Sequence, residues 1–222
     1  MTAAHTYHVL APILLPARWR LVRHLIELRN VRNIAIFIFA GVEELDFVGV
    51  YEVLCKSIGM REEGVLELNS PLHVDIIARE SPVLCRNGLK VMPHKVSSDF
   101  SSYDLLIIPG GNGITPLMKD TSLLERIRQF ARNHIICSVC TGSLLLGAAG
   151  VLEGKRALTH HEHLADLMAY VEAATGRVHA DNNVITSAGI SSSIDLGLKL
   201  LEMIHDEKAA RKVADRLEVP TH

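Results

Sequence analysis

Short apolar runs alternate with segments of helical periodicity from residue 33 towards the C-terminus. The apolar runs are rich in β-branched residues and are not broken by a polar residue at every second position. This pattern is typical of strands that are buried on both faces of a parallel sheet. We therefore predict buried strands at 33–39, 72–78, 105–108, 134–139 and 184–187.

The segments between these runs predict helices. Residues 47–57, 121–132 and 141–149 are predicted to be helical, with Thr121 as the N-cap of the second helix. A last, long helix is indicated by a stripe of apolar residues at helical spacing. The stripe consists of Ile194, Leu198, Leu201 and Ile204.

Alternation of strands and helices predicts an α/β domain whose central sheet is mostly parallel and flanked by helices. A hairpin turn is predicted at Asn87-Gly88, and a second turn at 181–183. A chain of 222 residues fits one such domain, which we place at 33–222. Residues 1–32 are treated as an N-terminal extension.

The N-terminal extension has its own composition. Arginines outnumber acidic residues there, and Leu21, Leu25 and Leu28 fall near helical spacing. Two interpretations stay open, a peripheral amphipathic helix that packs on the domain and a targeting leader.

The charge and the cysteine content reduce the number of possible partners and compartments. The formal net charge is −2, so no basic field favours nucleic acid as a partner. No apolar run reaches the roughly 20 residues that span a bilayer. Four cysteines without regular spacing do not suggest a disulfide framework, which indicates a reducing, cytoplasmic compartment. These features favour a partner that is a small-molecule substrate.

Three loops follow predicted strands and are candidates for one site. They are residues 40–46, residues 109–113 and the turn at Cys140. In parallel α/β sheets, ligands bind beyond the carboxyl ends of the strands. We therefore expect the three loops to meet at one edge of the sheet.

Cys140 lies between an apolar strand and a predicted helix, at a position where a sharp turn can present a nucleophile. A helix N-terminus lowers the pKa of a cysteine, although the dipole alone supplies less than about one pKa unit. Asp46 is the candidate for a second group, as a protonated acid that shares its proton with the sulfur. Cys137, within the strand, is interpreted as a buried apolar residue.

Each of these assignments has a structural alternative. Most free cysteines are small buried hydrophobes, and an Asp before a helix is a good N-cap. Gly110 and Gly111 can supply backbone N–H groups to a developing anion, or can serve only to make a tight turn. Neither the Cys137–Cys140 pair nor the histidine cluster at 159–163 has the spacing of a zinc site, so no metal is predicted.

Four segments of the chain resemble the ThiJ/PfpI superfamily, and within it the isonitrile hydratase branch. These are LDFVG (45–49), IPGGNGITPLMKD (108–120), SVCTGSLLLGAAGVLEGKRALTHH (138–161) and VITSAGISSSIDLGL (184–198). The resemblance implies a flavodoxin-like sandwich that usually forms a homodimer. It also implies a cofactor-free enzyme that adds water to an isonitrile and gives an N-substituted formamide.

The resemblance assigns roles to residues of this chain. Cys140 would be the nucleophile, Asp46 would relay its proton, and Thr141 would orient water or the intermediate. His160, His161 and Asn112 are candidates for the wall of the pocket.

Two departures from the hydratase pattern keep other functions open. The chain has His161 where hydratases usually have Trp, and Val50 where they have Pro. A glyoxalase or deglycase acting on reactive carbonyls is one alternative, and a redox or ligand sensor is another. The superfamily also resembles the sensor half of AraC-like regulators, but too few residues follow Leu217 for a helix-turn-helix pair.

Overall fold

The structure, a computed structural model, describes residues 28–68 and 70–220. Most of the N-terminal extension therefore lies outside the described residues. Both interpretations of it, a peripheral amphipathic helix and a targeting leader, concern those residues. The strands are β1 (Asn33–Phe37), β2 (His73–Ala78), β3 (Val83–Leu84), β4 (Lys90–Val91), β5 (Lys95–Val96), β6 (Leu105–Ile108), β7 (Ile135–Val139), β8 (Arg156–Ala157), β9 (Glu172–Ala173), β10 (Val178–Asp181) and β11 (Val184–Ser187).

Helices connect most of these strands. They are α1 (Glu44–Glu62), α2 (Ile114–Leu117), α3 (Thr121–Ala131), α4 (Gly142–Ala148), α5 (Leu164–Met168), α6 (Ser192–Ile204) and α7 (Glu207–Arg216), with a 3-10 helix at His161–His163. Among the described residues, no helix is both long enough and apolar enough to cross a membrane.

One sheet of seven strands organises the molecule, in the order β10-β11-β7-β6-β1-β2-β5. Every neighbouring pair is parallel except β10 and β11, which form an antiparallel hairpin at the edge. All residues of β6 and β7 are buried, because helices cover both faces of the sheet. Helix α1 packs on α6 and α7, whereas α3 packs on α4. The predicted fold class is confirmed.

The hairpin predicted at Asn87-Gly88 is present, since β3 and β4 pair antiparallel around it. Strand β1 is shorter than predicted and ends at Phe37, because the chain turns where the N–H of Val42 donates to the carbonyl of Phe39. The two-residue strands β5, β8 and β9 were not predicted. They are too short to show a hydrophobic period, and pairing alone defines them.

Three helices differ in detail from the prediction. Helix α1 begins at Glu44, so Asp46 lies inside its first turn and does not cap it. Asp120, not Thr121, caps α3, because its carboxylate accepts the N–H of Leu123 at 3.0 Å. In α6 the buried stripe is Leu196, Leu200, Leu201 and Ile204, while the predicted Ile194 and Leu198 are only half-buried.

Gly142→Ala is expected to lower the free energy of unfolding by about 1–3 kcal/mol, as overpacking of a filled core does. A Cβ atom at Gly142 would overlap the backbone carbonyl oxygen of Ile108, which cannot rotate away. Gly59→Ala is the matched control, since no atom lies within 4 Å of its Cβ position. It should stabilise α1 by roughly 0.5–1 kcal/mol. Urea unfolding of both variants measures the contrast, and equal effects would contradict it.

Candidate active site

Cys140 lies on a sharp turn between β7 and α4. Its backbone has φ of 54°, in the left-handed region that residues with a Cβ atom rarely adopt. Its N–H group donates to the carbonyl of Ala188 at 2.8 Å and to that of Ser187 at 3.2 Å, at the end of β11. The residue is only 7% exposed, and what is exposed lines a cavity. Cys140 is therefore a strained residue with one open side.

The three predicted loops do meet at the carboxyl edge of the sheet. Val42 and Gly111 form an isolated antiparallel bridge, and the N–H of Glu43 donates to the carbonyl of Gly110 at 3.0 Å. These contacts join the loop after β1 to the loop after β6. The turn at Cys140 follows β7, which lies beside β6 in the sheet.

Asp46 is completely buried at this junction. One carboxyl oxygen, Oδ2, accepts the N–H of Gly110 at 2.9 Å. The other, Oδ1, has no hydrogen-bond partner among the described residues. The Cys140 thiol lies close enough to influence this carboxyl group, although the two make no hydrogen bond of standard length and angle. A buried acceptor without a partner is costly, which favours a proton on or near this oxygen.

The surroundings of Asp46 make its carboxyl group a weak acid. Burial raises its pKa to about 7, the charge of Glu43 raises it as well, and the Gly110 N–H group and Arg86 lower it. An acid of this strength is populated in both protonation states near neutral pH. Asp46 can therefore both accept and donate a proton.

The pKa of Cys140 is raised, which is opposite to the expectation from its place before a helix. Burial of the sulfur is the largest cause and the nearby charge of Asp46 is the second, while the backbone N–H and hydroxyl of Thr141 lower it. Helix α4 has only 7 residues, so its dipole does not compensate for burial. At neutral pH the sulfur is a thiol, and it becomes a nucleophile only when a neighbouring base removes its proton.

Gly110 and Gly111 do not offer free N–H groups in this structure. The N–H of Gly110 is bound to Asp46, and the N–H of Gly111 donates to Oγ1 of Thr141 at 3.0 Å. The donation to a substrate anion stays a prediction, because both donors hold side chains of the site in this structure. A Cβ atom at Gly110 would lie 2.5 Å from Oγ1 of Thr141, so only glycine permits this approach.

A cavity of about 780 Å³ opens beside Cys140 and Thr141. Its walls differ in character. One group of lining residues is polar and includes Arg86, Asn112, His160, His161 and His163. Another group is apolar and includes Ile114, Met118, Leu144 and Tyr170. The three candidate pocket residues from the sequence, Asn112, His160 and His161, all line this cavity.

The histidines of the polar wall interact with one another. The rings of His160 and His161 lie 4.3 Å apart. Nδ1 of His160 accepts the N–H of Glu162 at 3.3 Å, so neutral His160 carries its proton on Nε2. Burial and the neighbouring His161 lower the pKa of His160. Within residues 28–68 and 70–220, no three side chains of the ligating types are grouped to hold a metal ion.

Arg86 and Glu43 belong to the site but were not identified from the sequence. Arg86 donates to the buried carboxylate of Glu43 at 3.0 Å, and Asn87 donates to the same group at 3.2 Å. The turn between β3 and β4 is thereby attached to Glu43, the residue that precedes α1, the helix that carries Asp46. Only the charge of Arg86 beside the Asn87-Gly88 turn could have drawn attention to it, and charged residues are common at turns.

Fold and site together define an α/β protein with a strained, cavity-lining cysteine at the carboxyl edge of a mostly parallel sheet. The chain belongs to the DJ-1/PfpI family, whose model matches residues 32–203. It is 36% identical over 190 residues to isonitrile hydratase of Pseudomonas putida, across 84% of this chain and 78% of that protein. Protein DJ-1alpha of Drosophila melanogaster is 27% identical over 191 residues, with 82% of each chain covered.

A solved structure shares the fold. The crystal structure of a ThiJ/PfpI family protein from Pseudomonas syringae matches with a TM-score of 0.74 at 24% identity, covering 98% of this chain and 84% of that one. The flavodoxin-like architecture and the family expected from the sequence segments are thus confirmed.

The pKa of Asp46 predicts how stability depends on pH. The carboxyl group ionises at about 7 in the folded chain, against 3.8 ordinarily, so the folded state holds a proton that the unfolded state has lost. Its protonated form stabilises the fold below about pH 4, and this contribution falls as the pH rises to about 7, by up to about 4 kcal/mol. Asp46→Asn removes the ionisation.

The variant should therefore be more stable than the parent protein at pH 8, and the difference should shrink towards pH 4.5. Urea unfolding of both proteins at the two pH values measures this change. A difference that does not vary with pH would contradict the raised pKa of Asp46.

Proposed function

We propose that this protein is an enzyme that adds water to an isonitrile and produces an N-substituted formamide, with Cys140 as the nucleophile. The observation that carries the proposal is the pairing of a cavity-lining thiol with a buried carboxyl group whose pKa is about 7. The similarity to isonitrile hydratase supports the choice of reaction. No metal or organic cofactor takes part in the proposed steps.

In the first half of the reaction, Asp46 accepts the thiol proton as the sulfur attacks the terminal isonitrile carbon. Asp46 then delivers that proton to the same carbon, and a thioimidate forms on Cys140. This order suits the raised pKa of Cys140, since the thiol is activated only as substrate binds. A permanent thiolate beside an ionised Asp46 would place two charges in a buried site.

In the second half, water adds to the carbon–nitrogen double bond. The nitrogen gains one proton, the tetrahedral carbon carries the new hydroxyl, and collapse of the adduct expels the sulfur. The sulfur recovers a proton through Asp46, and the formamide leaves. Oγ1 of Thr141 accepts from Gly111, so its hydroxyl hydrogen is directed elsewhere and can orient the water or the intermediate.

The size and walls of the cavity support a substituted isonitrile. A volume of about 780 Å³ lies in the range of sites for drug-sized ligands and exceeds what a three-carbon aldehyde fills. The apolar residues Ile114, Met118 and Leu144 offer a surface for the substituent on nitrogen.

The histidine wall favours a second candidate, an enzyme of the glyoxalase or deglycase type. His160 and His161 place polar ring atoms along a cavity that also contains Cys140. A carbonyl oxygen is a good hydrogen-bond acceptor, and a thiol can also act as a nucleophile towards the carbon of an aldehyde.

Steady-state assays with cyclohexyl isocyanide and with methylglyoxal separate the two candidates. We expect N-cyclohexylformamide as the main product. Cys140→Ser should reduce its formation at least about a thousandfold because the nucleophile is lost. Asp46→Asn should reduce it roughly a hundredfold because the proton relay is lost. Cys55→Ser, a half-buried cysteine outside the cavity, is the matched control and should retain activity.

Lactate formation that depends on Cys140, without formamide, would replace the first candidate by the second. Activity that survives Cys140→Ser would refute both.

We also propose a cytoplasmic homodimer. Four free cysteines suit a reducing compartment. Val48 is 39% exposed on the first turns of α1, and Leu45 beside it is 40% exposed, which gives a partner an apolar surface.

Light scattering should therefore give about twice the chain mass of 24.4 kDa. Val48→Asp should shift the protein towards monomer, because a charge on this surface is costly to bury. Lys56→Ala, farther along α1, is the control. A monomeric parent protein would contradict the proposal.

A further inference from the structure

The left-handed conformation of Cys140 needs support from outside the turn. A residue with a Cβ atom persists in this region only where its surroundings over-determine it. The N–H side of Cys140 is held by the carbonyl groups of Ser187 and Ala188. The carbonyl side is held by two side-chain hydroxyls and, at the longer distance of 3.5 Å, by the backbone N–H of Ser143.

Ser143 and Thr159 both donate to the carbonyl oxygen of Cys140. Each Oγ atom lies 3.1 Å from that oxygen, and both residues are buried. A carbonyl oxygen has two lone pairs, so it can accept both bonds at once. Ser143 belongs to α4, whereas Thr159 comes from the segment after β8. Two separate parts of the chain therefore hold the same atom.

The segment that carries Thr159 is itself fixed. The N–H of Leu158 donates to Oγ1 of Thr186 at 2.8 Å, which ties the segment to β11. Thr159 is followed directly by His160, which lines the cavity. The bond from Thr159 to Cys140 thus links the cysteine turn to the histidine wall.

Neither hydroxyl-bearing residue lines the cavity that contains Cys140. Their effect on a substrate must therefore pass through the position of the sulfur. A small displacement would matter, because the thiol lies against the fully buried Asp46 and is mostly enclosed.

We propose that the Ser143 and Thr159 hydroxyls are positioning groups that hold the Cys140 carbonyl and thereby keep the sulfur facing Asp46. The inference rests on the proposed function only in taking Cys140 as the reacting group. It assigns the two residues no contact with substrate.

The charged groups around the sulfur determine how a displacement changes the pKa of the thiol. Asp46 approaches it from α1, Glu43 from the preceding loop, and Arg86 and His160 line the same cavity. Burial and the carboxylates oppose ionisation of the thiol. A sulfur released from its position becomes more solvated and more distant from Asp46, so its pKa falls.

The test uses the full chain with Thr159→Val, Thr159→Ser and Ser143→Ala. Iodoacetamide alkylation of Cys140 is followed by peptide mass spectrometry across a pH series, alongside kcat and KM for formamide formation. Ser57→Ala is the matched control, because Ser57 is also a buried serine whose hydroxyl donates to the carbonyl three residues earlier.

We expect Thr159→Val and Ser143→Ala each to lower kcat about tenfold with little change in KM, as the loss of one buried hydrogen bond allows. Both should move the alkylation midpoint of Cys140 to lower pH. Thr159→Ser should restore both quantities, and Ser57→Ala should change neither.

If Ser143 and Thr159 only stabilise the fold, their substitution leaves the alkylation midpoint of Cys140 unchanged. Alkylation midpoints of the Thr159→Val and Ser143→Ala variants that match those of the parent protein and Ser57→Ala would overturn the proposal, whatever their thermal stability. The alkylation midpoint decides this even if no formamide forms, so failure of the proposed function is recognised separately.

Discussion

The burial of two neighbouring acidic groups, the Cys140 thiol and the Asp46 carboxyl group, is the constraint on which this site depends. Burial raises the pKa of both the Cys140 thiol and the Asp46 carboxyl group, and the charge of Asp46 raises the pKa of Cys140 further, whereas interaction with the thiol lowers that of Asp46. The site therefore tolerates at most one negative charge readily. Such a pair stores a weakly held proton beside a potential nucleophile, and proton transfer within it can accompany bond formation.

The fold supplies this arrangement through backbone atoms more than through side chains. Gly110 donates to Asp46, Gly111 donates to Thr141, and the carbonyl groups after β11 hold the N–H of Cys140. Each contact requires two chain segments to approach closely at the carboxyl edge of the sheet. Glycine allows that approach at Gly110, where a Cβ atom would collide with Thr141. In the proposed reaction, these groups are thus positioned before a substrate arrives, which reduces the reorganisation needed.

The cavity beside this pair has one polar wall and one apolar wall. An apolar wall suits the substituent of an isonitrile, while His160, His161 and Arg86 suit a group that accepts hydrogen bonds. Arg86 has a second effect, since it neutralises Glu43 and lowers the pKa of Asp46. In the proposed reaction, Arg86 therefore couples substrate recognition to the acidity of Asp46.

The sequence by itself determined the sheet core, the family and the three loops of the site. Apolar runs and short family-like segments can be recognised because their residues are adjacent in the chain. The position of Cys140 between a strand and a helix could be deduced in the same way. Only the tertiary structure decided the direction of the thiol pKa, because burial depends on residues distant in the chain. It also decided that the Gly110 and Gly111 N–H groups are occupied, and that Thr159 reaches across 19 residues to Cys140. Hydrogen bonds between remote segments leave no periodic trace in a sequence.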